Sequence, residues 1–260
     1  MGTPLSWAQY SARAPARVLQ RGIAAPPVIT FDAGQTLIDL DLDFLARRLA
    51  ERGVTVAPHA LGAAASAAWT RYDERTAAGE GHPWRALMHA LLTGAGVASL
   101  AGADRATIDG LVEWLWQEQP RANLWRRPIP GMVALARELA ARGARVAVLS
   151  NSEGRLAELL TEIGLADAFE VIIDSGRLGF EKPDRRIFDH TLAALGVAPG
   201  EVSPVHIGDS YAADIVGALG AGWRALWYGR VVADVPDDAR VLVARDPAEA
   251  RAALVRFGVL

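Results

Sequence analysis

The sequence predicts an α/β fold in which a parallel sheet is interrupted by a block of helices. From about residue 128 onward, short apolar segments alternate with segments of helical period, as in strands joined by helical crossovers. One further apolar segment, Val28 to Phe31, comes long before them, and residues 42–127 show helical patterns only. We therefore expect a sheet domain, residues 28–41 and 128–260, with a helical domain, residues 42–127, inserted after its first strand.

Composition and charge are those of a well-packed chain. Of the 260 residues, 51% are hydrophobic and 22% are charged, so the chain can bury a sizeable core and is not disordered. A net charge of −3 argues against a nucleic-acid surface, and no run of about 18 apolar residues predicts a membrane span. The lack of cysteine excludes disulfides and thiolate sites. We expect a cytoplasmic protein that acts on a small molecule, with no nucleic-acid or membrane partner.

The first predicted strand, Val28 to Phe31, is a short β-rich segment that ends in a polar turn. Residues 1–27 precede it with three arginines and no acidic residue, and we expect them to form an N-terminal extension outside the fold. Apolar spacing and intervening glycines predict four helices in the next segment. These cover residues 44–52, 61–76, 84–92 and 108–117.

The second part of the chain alternates between the two kinds of element. A helix around residues 132–139 is closed by Gly143, and three later helices end near Gly164, Gly196 and Gly220. A last helix is predicted near the C-terminus. The predicted strands cover residues 145–149, 171–173, 205–207, 225–227 and 241–243, and the other helices cover residues 155–163, 184–195, the segment up to 220, and 247–255.

Polar residues stand where the predicted strands end. Ligands of open parallel sheets bind outside the carboxyl ends of the strands, so these residues can converge on one site. They are Asp32, Thr36, Ser150, Asn151, Asp209 and Asp214. Three of them are carboxylates, which cannot all stay ionised near one point without a cation. Oxygen ligands favour Mg²⁺, and the hydroxyls suit a phosphate group.

One lysine completes this set. The chain contains 27 lysine and arginine residues, and only Lys182 is a lysine. It lies in a loop that leads into a helix. All other positively charged side chains of this kind are arginine, so the exception at position 182 indicates a site that needs a compact ammonium group.

Four motifs in this order resemble those of the haloacid dehalogenase (HAD) superfamily of hydrolases. The first motif matches residues 32–36 in part, the second matches Ser150-Asn151, the third matches Lys182-Pro183, and the fourth matches Gly208-Asp209 with Asp214. The resemblance extends from Val28 to the C-terminus. It implies a Rossmann-like core, and the helical segment resembles the cap of subfamily I.

The resemblance also implies a mechanism and roles for the residues. Asp32 would attack phosphorus and form an aspartyl-phosphate, and Lys182 would offset its charge. Mg²⁺ would be held by Asp32, the backbone carbonyl of Gly34 and Asp209, with Asp214 orienting this metal site. The phosphoryl oxygens would be bound by Thr36, Ser150, Asn151 and Lys182. The substrate would be a small organic phosphomonoester.

Two positions of the first motif depart from the family pattern. Gly34 stands where family phosphatases carry a second Asp, which protonates the leaving group and then activates water, and Gln35 replaces a glycine. General acid–base help is typically worth about 10²–10⁴-fold. A phosphatase without it needs a substitute acid or a substrate with a good leaving group. The candidate acids, each with an ordinary surface or helix-capping role as its alternative, are Asp39, Asp41, Asp43, His59, His82, His89 and Glu181.

Several readings of the chemistry therefore stay open. Dehalogenase-like hydrolysis at carbon is one alternative, and a catalytically weak phosphate- or Mg²⁺-binding protein is another. A Schiff-base mechanism is disfavoured because residues 42–127 contain no lysine. Five tryptophans in or beside the helical segment are expected mostly in its core, with one or two facing an apolar or aromatic leaving group. They are Trp69, Trp84, Trp114, Trp116 and Trp125.

Overall fold

A computed structural model describes residues 25–78, 80, 83–97, 105–230 and 234–260. The predicted N-terminal extension up to residue 24 and the candidate acid His82 lie outside these residues. No described helix is both long enough and apolar enough to cross a membrane.

Six parallel strands form the central sheet in the order β5-β4-β1-β6-β7-β8. The predicted α/β class and its parallel sheet are thereby confirmed. The strands of the described chain are β1 Val28–Phe31, β2 Ile38–Leu40, β3 Trp125–Pro128, β4 Arg145–Ser150, β5 Val171–Asp174, β6 Val205–Gly208, β7 Arg224–Tyr228 and β8 Val241–Ala244.

The helices agree with their predicted positions to within a few residues. Four of them, α1 to α4, follow one another between β2 and β3, and the others flank the sheet. The described helices are α1 Leu42–Ala50, α2 Pro58–Ala77, α3 Trp84–Gly94, α4 Arg105–Glu118, α5 Pro130–Ala141, α6 Leu156–Glu162, α7 Arg185–Ala194, α8 Gly217–Gly220 and α9 Pro247–Arg256.

The sheet is apolar on both faces because helices cover both of them. In β1, all four residues are buried, and Ile29 and Phe31 pack into one hydrophobic cluster while Val28 packs into the other. The same alternation places Val146 and Ala147 of β4 in opposite clusters. Continuous apolar strands of this kind are typical of a parallel sheet buried between two helix layers.

Helices α1 to α4, here called the helical block, have a hydrophobic cluster of their own. Leu87, Met88 and Leu91 of α3 are at most 1% exposed and pack with Leu45 and Leu49 of α1. The block therefore does not depend on the sheet for its core. Its predicted boundaries as a domain, at residues 41/42 and 127/128, stay a prediction.

A two-stranded antiparallel ribbon, β2 with β3, joins the helical block to the sheet. Asp39 pairs with Arg127 in its register, and Arg127 donates a hydrogen bond to the Asp39 carboxylate over 2.6 Å. The sequence does not predict this ribbon, because strands of three and four residues that carry charged side chains have no clear alternation. Its consequence is that Trp125, the first residue of β3, is held beside the turn after β1.

The polar site residues meet where the strand order reverses. From β1 the chain runs outward through β4 and β5 on one side, and later through β6, β7 and β8 on the other. The carboxyl ends of β1, β4 and β6 therefore flank one crevice, which is the usual ligand position in an open parallel sheet.

Candidate active site

Asp32 lies at the centre of the crevice, one residue beyond β1. Its backbone N–H donates to the carbonyl of Ile207 over 2.8 Å, which continues the pairing of β1 with β6. Its Oδ1 accepts two hydrogen bonds, one from Lys182 Nζ at 2.7 Å and one from Ser150 Oγ at 2.9 Å. Residues from three predicted motifs are thus in direct contact.

Lys182 is buried, with 1% of its side chain exposed, and its ammonium group has three acceptors. Besides Asp32, Nζ donates to Asp214 Oδ1 at 2.6 Å and to the carbonyl of Leu149 at 2.7 Å. Asn151 holds the backbone of this lysine from both sides. Its Nδ2 donates to the Lys182 carbonyl and its Oδ1 accepts from the Lys182 N–H, each over 2.9 Å. Both polar groups of Asn151 are therefore engaged with the loop that carries Lys182.

Asp214 is fixed by groups on both of its carboxylate oxygens. Its Oδ2 accepts from the backbone N–H of Ser210 at 2.8 Å, while Oδ1 lies 3.0 Å from His206 Nε2. The residue lies in a turn of π-helix, Tyr211–Val216, where the sequence predicts a regular helix. A Cβ on Gly208 would come within 2.3 Å of the Asp214 carboxyl carbon, so only glycine fits there.

Behind these charges lies a buried polar pair that the sequence does not assign to the site. His206 of β6 faces Thr30 of β1 in the sheet register, and Thr30 Oγ1 lies 2.7 Å from His206 Nδ1. A carboxylate can only accept, so His206 Nε2 carries the proton toward Asp214 and Nδ1 accepts from Thr30. A histidine within a fully buried strand is the signal that could have indicated this role.

The charges in the crevice shift one another's pKa values. Burial alone would lower the pKa of Lys182, but the carboxylates of Asp214 and Asp32 outweigh it and raise that pKa. Burial would raise the pKa of Asp214, yet the adjacent ammonium and His206 hold it well below its usual value. Burial and the nearby ammonium lower the pKa of His206, which is therefore neutral at pH 7. Lys182 and Asp214 thus form a charged pair inside the protein.

Asp209 follows β6 and is less deeply buried than Asp214. Its backbone carbonyl accepts from Trp227 Nε1 at 3.0 Å. Burial, together with the carboxylates of Asp214 and Asp32, raises its pKa well above the usual value, and Lys182 and Arg230 only partly oppose this. The crevice therefore holds more negative charge than its one ammonium group balances.

Thr36 is fully buried near the end of the first motif. Its Oγ1 has no hydrogen-bond partner among the described residues. A buried hydroxyl left without a partner costs about 1–3 kcal/mol.

The two unusual positions of the first motif face β3 and the segment after β7. A Cβ built on Gly34 would lie 3.6 Å from Cδ1 of Trp125 and 3.8 Å from Oδ2 of Asp32. Gln35 adopts a left-handed backbone conformation with φ of 54°, and its Oε1 accepts from Arg230 Nη2 at 3.1 Å. Position 34 therefore opens toward an indole ring and the Asp32 carboxylate.

Arg230, which follows β7, also reaches the helical block. Its two terminal nitrogens contact the two carboxylate oxygens of Asp73 of α2, each at 3.2 Å, and its guanidinium lies 4.5 Å from the centre of the Trp69 ring. We call the contacts of Arg230 with Gln35, Asp73 and Trp69 the Arg230 clasp. The sequence does not single out Arg230 or Asp73, because an isolated arginine and a helical aspartate have no motif.

Three of the candidate acids, Asp39, Asp41 and His89, have partners away from Asp32. Asp41 caps α1 by accepting from the Phe44 N–H at 2.8 Å, as its alternative role predicts. Asp39 pairs with Arg127, and His89 lies 3.4 Å from Asp109. Asp43 lies in the first turn of α1, His59 lies at the start of α2, and Glu181 is exposed. None of these described side chains makes a hydrogen bond or ion pair with Asp32 or Lys182.

The donor set of the crevice fits Mg²⁺ with few side-chain ligands. Among the described residues, no group of three or more His, Asp or Glu side chains is arranged to hold a metal. Both oxygens of Asp214 are occupied, which leaves the carboxylates of Asp32 and Asp209 and the Gly34 carbonyl. Mg²⁺ usually binds through one or two carboxylates and keeps several waters, so this smaller set is sufficient.

Comparison with known proteins identifies the family. A model of haloacid dehalogenase-like hydrolases matches residues 26–222. This chain belongs to the haloacid dehalogenase-like hydrolase family. The match contains all four motifs and the helical block.

Individual relatives are more distant. A phosphoserine phosphatase from Thermus thermophilus is 39% identical over 121 residues, which cover 46% of this chain and 46% of that protein. A glyceraldehyde 3-phosphate phosphatase from Methanothermobacter thermautotrophicus is 34% identical over 101 residues, 38% of this chain and 44% of that protein. The match thus spans less than half the length of each relative.

A solved structure shares the fold over nearly the whole chain. The 2-haloacid dehalogenase from Pseudomonas syringae pv. Tomato DC3000 superposes with a TM-score of 0.53 at 24% identity, and the match covers 90% of this chain and 100% of the other. At this identity, the similarity shows a shared fold only.

Proposed function

We propose that this protein is a Mg²⁺-dependent phosphatase that hydrolyses small organic phosphomonoesters through an aspartyl-phosphate on Asp32. The contacts of one oxygen of Asp32 with Lys182 and Ser150 carry this proposal, and the unpartnered hydroxyl of Thr36, four residues further along the same motif, supports it. Two relatives with matching segments are named as phosphatases, which supports the same reaction class.

In the proposed reaction, an oxygen of Asp32 forms a bond to phosphorus while the bond to the leaving oxygen breaks, and the leaving group departs with the electron pair. Water then attacks the same phosphorus, releases inorganic phosphate and regenerates the carboxylate. Lys182 offsets negative charge at Asp32 throughout, and Thr36 and Ser150 donate to phosphoryl oxygens. We assign Asn151 a positioning role through the backbone of Lys182, and Asp214 an orienting role through its ammonium.

A bound Mg²⁺ would neutralise phosphoryl charge and orient the ester, held by Asp32, Asp209 and the Gly34 carbonyl. The excess of carboxylates in the crevice supports a metal-dependent site over metal-free attack on carbon. We further propose that the helical block acts as a cap that excludes water and selects the substrate.

Replacement of the nucleophile tests the reaction. Asp32→Asn is expected to lower phosphate release from a panel of phosphomonoesters in the presence of Mg²⁺ to background, because an amide oxygen cannot form the phosphoryl intermediate. Asp189→Asn, on the exposed face of α7, is the matched control and keeps wild-type rates.

Full activity of Asp32→Asn contradicts the nucleophile assignment. Halide release from 2-haloacids that persists in EDTA would instead support the dehalogenase-like reaction. Mg²⁺ binding without turnover of any ester would support a binding protein.

A further inference from the structure

We propose that the preferred substrates are phosphomonoesters with a planar, weakly basic leaving group, above all aryl phosphates, which the protein cleaves without a general acid. This inference rests on the phosphatase function proposed above and specifies its substrate class. The observation behind it is the juxtaposition of Gly34, Trp125 and the second carboxylate oxygen of Asp32.

The position that lacks a carboxylate is lined by an aromatic ring. The point where a Cβ of residue 34 would lie is 3.6 Å from Cδ1 and 3.9 Å from Nε1 of Trp125, and 3.8 Å from Asp32 Oδ2. Because Lys182 and Ser150 both contact Oδ1, this point lies toward the other oxygen of the nucleophile. A group that leaves from phosphorus on this side would meet an indole edge.

Trp125 is held in place by its neighbours. The pairing of β3 with β2 fixes its backbone, and its ring packs edge-on to Trp69 at 6.4 Å and tilted to Trp84 at 6.5 Å between ring centres. Trp69 in turn packs edge-on to Tyr72 at 5.3 Å and carries the Arg230 guanidinium on its face. These partly exposed rings form an aromatic wall of Trp69, Tyr72 and Trp125, which suits a planar apolar group.

No described acid in this wall is suited to protonate a leaving group. Both carboxylate oxygens of Asp73 are held by the terminal nitrogens of Arg230, so neither is free to give a proton to a leaving group. Burial raises the pKa of Asp73, and Arg230 opposes that shift. Tyr72 is a weaker acid than an ordinary tyrosine, since burial and then the charges of Asp209 and Asp73 raise its pKa. Of the other candidate acids that the structure describes, none makes a side-chain hydrogen bond or ion pair with Asp32 or Lys182.

Without an acid, the basicity of the leaving oxygen sets the rate of the first step. A phenol has a pKa of about 10, as in tyrosine, whereas an alcohol is closer to water at about 15.7. An aryl oxide can therefore leave as the anion and take its proton from solvent afterwards, while an alkoxide cannot. The lack of a carboxylate at position 34 also leaves the attacking water without a base. Breakdown of the aspartyl-phosphate therefore becomes the slow step.

Phenyl, benzyl and acetyl phosphate separate the effect of leaving-group basicity from the effect of the aromatic ring. Phenyl and benzyl phosphate share a ring but differ in leaving-group basicity, and acetyl phosphate has a weakly basic leaving group without a ring. For the wild type, kcat/KM with phenyl phosphate is expected to exceed that with benzyl phosphate by about 10²-fold or more. Rapid mixing with phenyl phosphate is expected to release a burst of one phenol per active site.

Two variants assign these effects to residues. Gly34→Asp is expected to raise kcat/KM for benzyl phosphate by about 10²-fold and to abolish the burst, because the new carboxylate supplies both the acid and the base. Trp125→Leu is expected to lower kcat/KM for phenyl phosphate by about 10-fold, because one aromatic contact with the ring is lost. The kcat/KM for acetyl phosphate, which has no ring, is expected to stay unchanged. Unchanged acetyl phosphate turnover also shows that this variant is folded.

Trp116→Leu is the matched control, because Trp116 packs on Trp84 and Arg85. This variant is expected to keep the wild-type kcat/KM for both phenyl phosphate and acetyl phosphate. Equal wild-type rates for phenyl and benzyl phosphate, without a burst, overturn the inference but leave the phosphatase function intact. If no ester is hydrolysed and no phosphoryl adduct forms on Asp32 by mass spectrometry, the proposed function itself fails.

Discussion

At the scale of single residues, the choice of lysine at position 182 follows from the arrangement of its acceptors. Nζ donates to Asp32, Asp214 and the Leu149 carbonyl, and an ammonium group has three donors to match. A planar guanidinium cannot direct its donors from one nitrogen to three converging oxygens. The only lysine of the sequence is therefore required by geometry as well as by charge.

Thr36→Val tests the unpartnered hydroxyl. Valine has the shape of threonine but removes the buried oxygen, so we expect the free energy of unfolding to rise by about 1 kcal/mol. Phosphate binding is expected to weaken by about 10-fold, since one hydrogen bond to the anion is lost. Urea denaturation and calorimetric titration with inorganic phosphate in Mg²⁺ measure the two effects. A destabilised variant with wild-type phosphate affinity contradicts this role.

At the scale of elements, the Arg230 clasp links the loop after β7, the turn after β1 and helix α2. Gln35 adopts a positive φ that costs a non-glycine residue about 1 kcal/mol or more, and its side chain is what reaches Arg230. A glycine there would relax the backbone but lose this contact. The Arg230 clasp thus holds helix α2 to the turn that follows β1.

The clasp predicts a pH-dependent stability difference. Burial raises the pKa of Asp73, and Arg230 opposes that shift. In Arg230→Gln the opposition is lost, so the folded-state pKa of Asp73 rises further above its unfolded value. A carboxyl group with a raised folded pKa destabilises the fold when ionised, and stability recovers as the pH falls through that pKa.

We therefore expect Arg230→Gln to be less stable than the wild type by up to about 1 kcal/mol at pH 8, with a smaller difference at pH 5. Urea denaturation at both pH values measures it. The double variant Arg230→Gln with Asp73→Asn is the control, and its difference from Asp73→Asn alone should change less with pH, because only the smaller effect of Arg230 on Asp209 remains. A deficit that grows on acidification contradicts the prediction.

At the scale of the whole molecule, three hydrophobic clusters surround one charged crevice. The helical block has its own cluster, and the sheet has one on each face. The ribbon of β2 and β3 and the Arg230 clasp connect the block to the sheet at positions that flank Asp32. A ligand bound in the crevice can therefore contact both parts of the molecule.

Inorganic phosphate is expected to stabilise the whole fold. An anion that binds only the native site adds about 2.7 kcal/mol at a concentration 100 times its Kd, so Tm should rise with phosphate in the presence of Mg²⁺. Differential scanning calorimetry measures the shift, with sodium chloride of equal ionic strength as the control. Equal shifts in both salts would contradict specific binding.

The sequence by itself determined the α/β class, the order of the sheet strands along the chain, the helical insertion and the family. It also indicated residues that meet in the crevice, because apolar periodicity and motif order are local properties that a linear chain records directly. Only the tertiary structure revealed the β2–β3 ribbon, the Thr30–His206 pair, the Arg230 clasp and the indole beside Gly34. Those contacts join residues up to 195 positions apart through packing of side chains, and no local pattern encodes which distant side chain fills a given space.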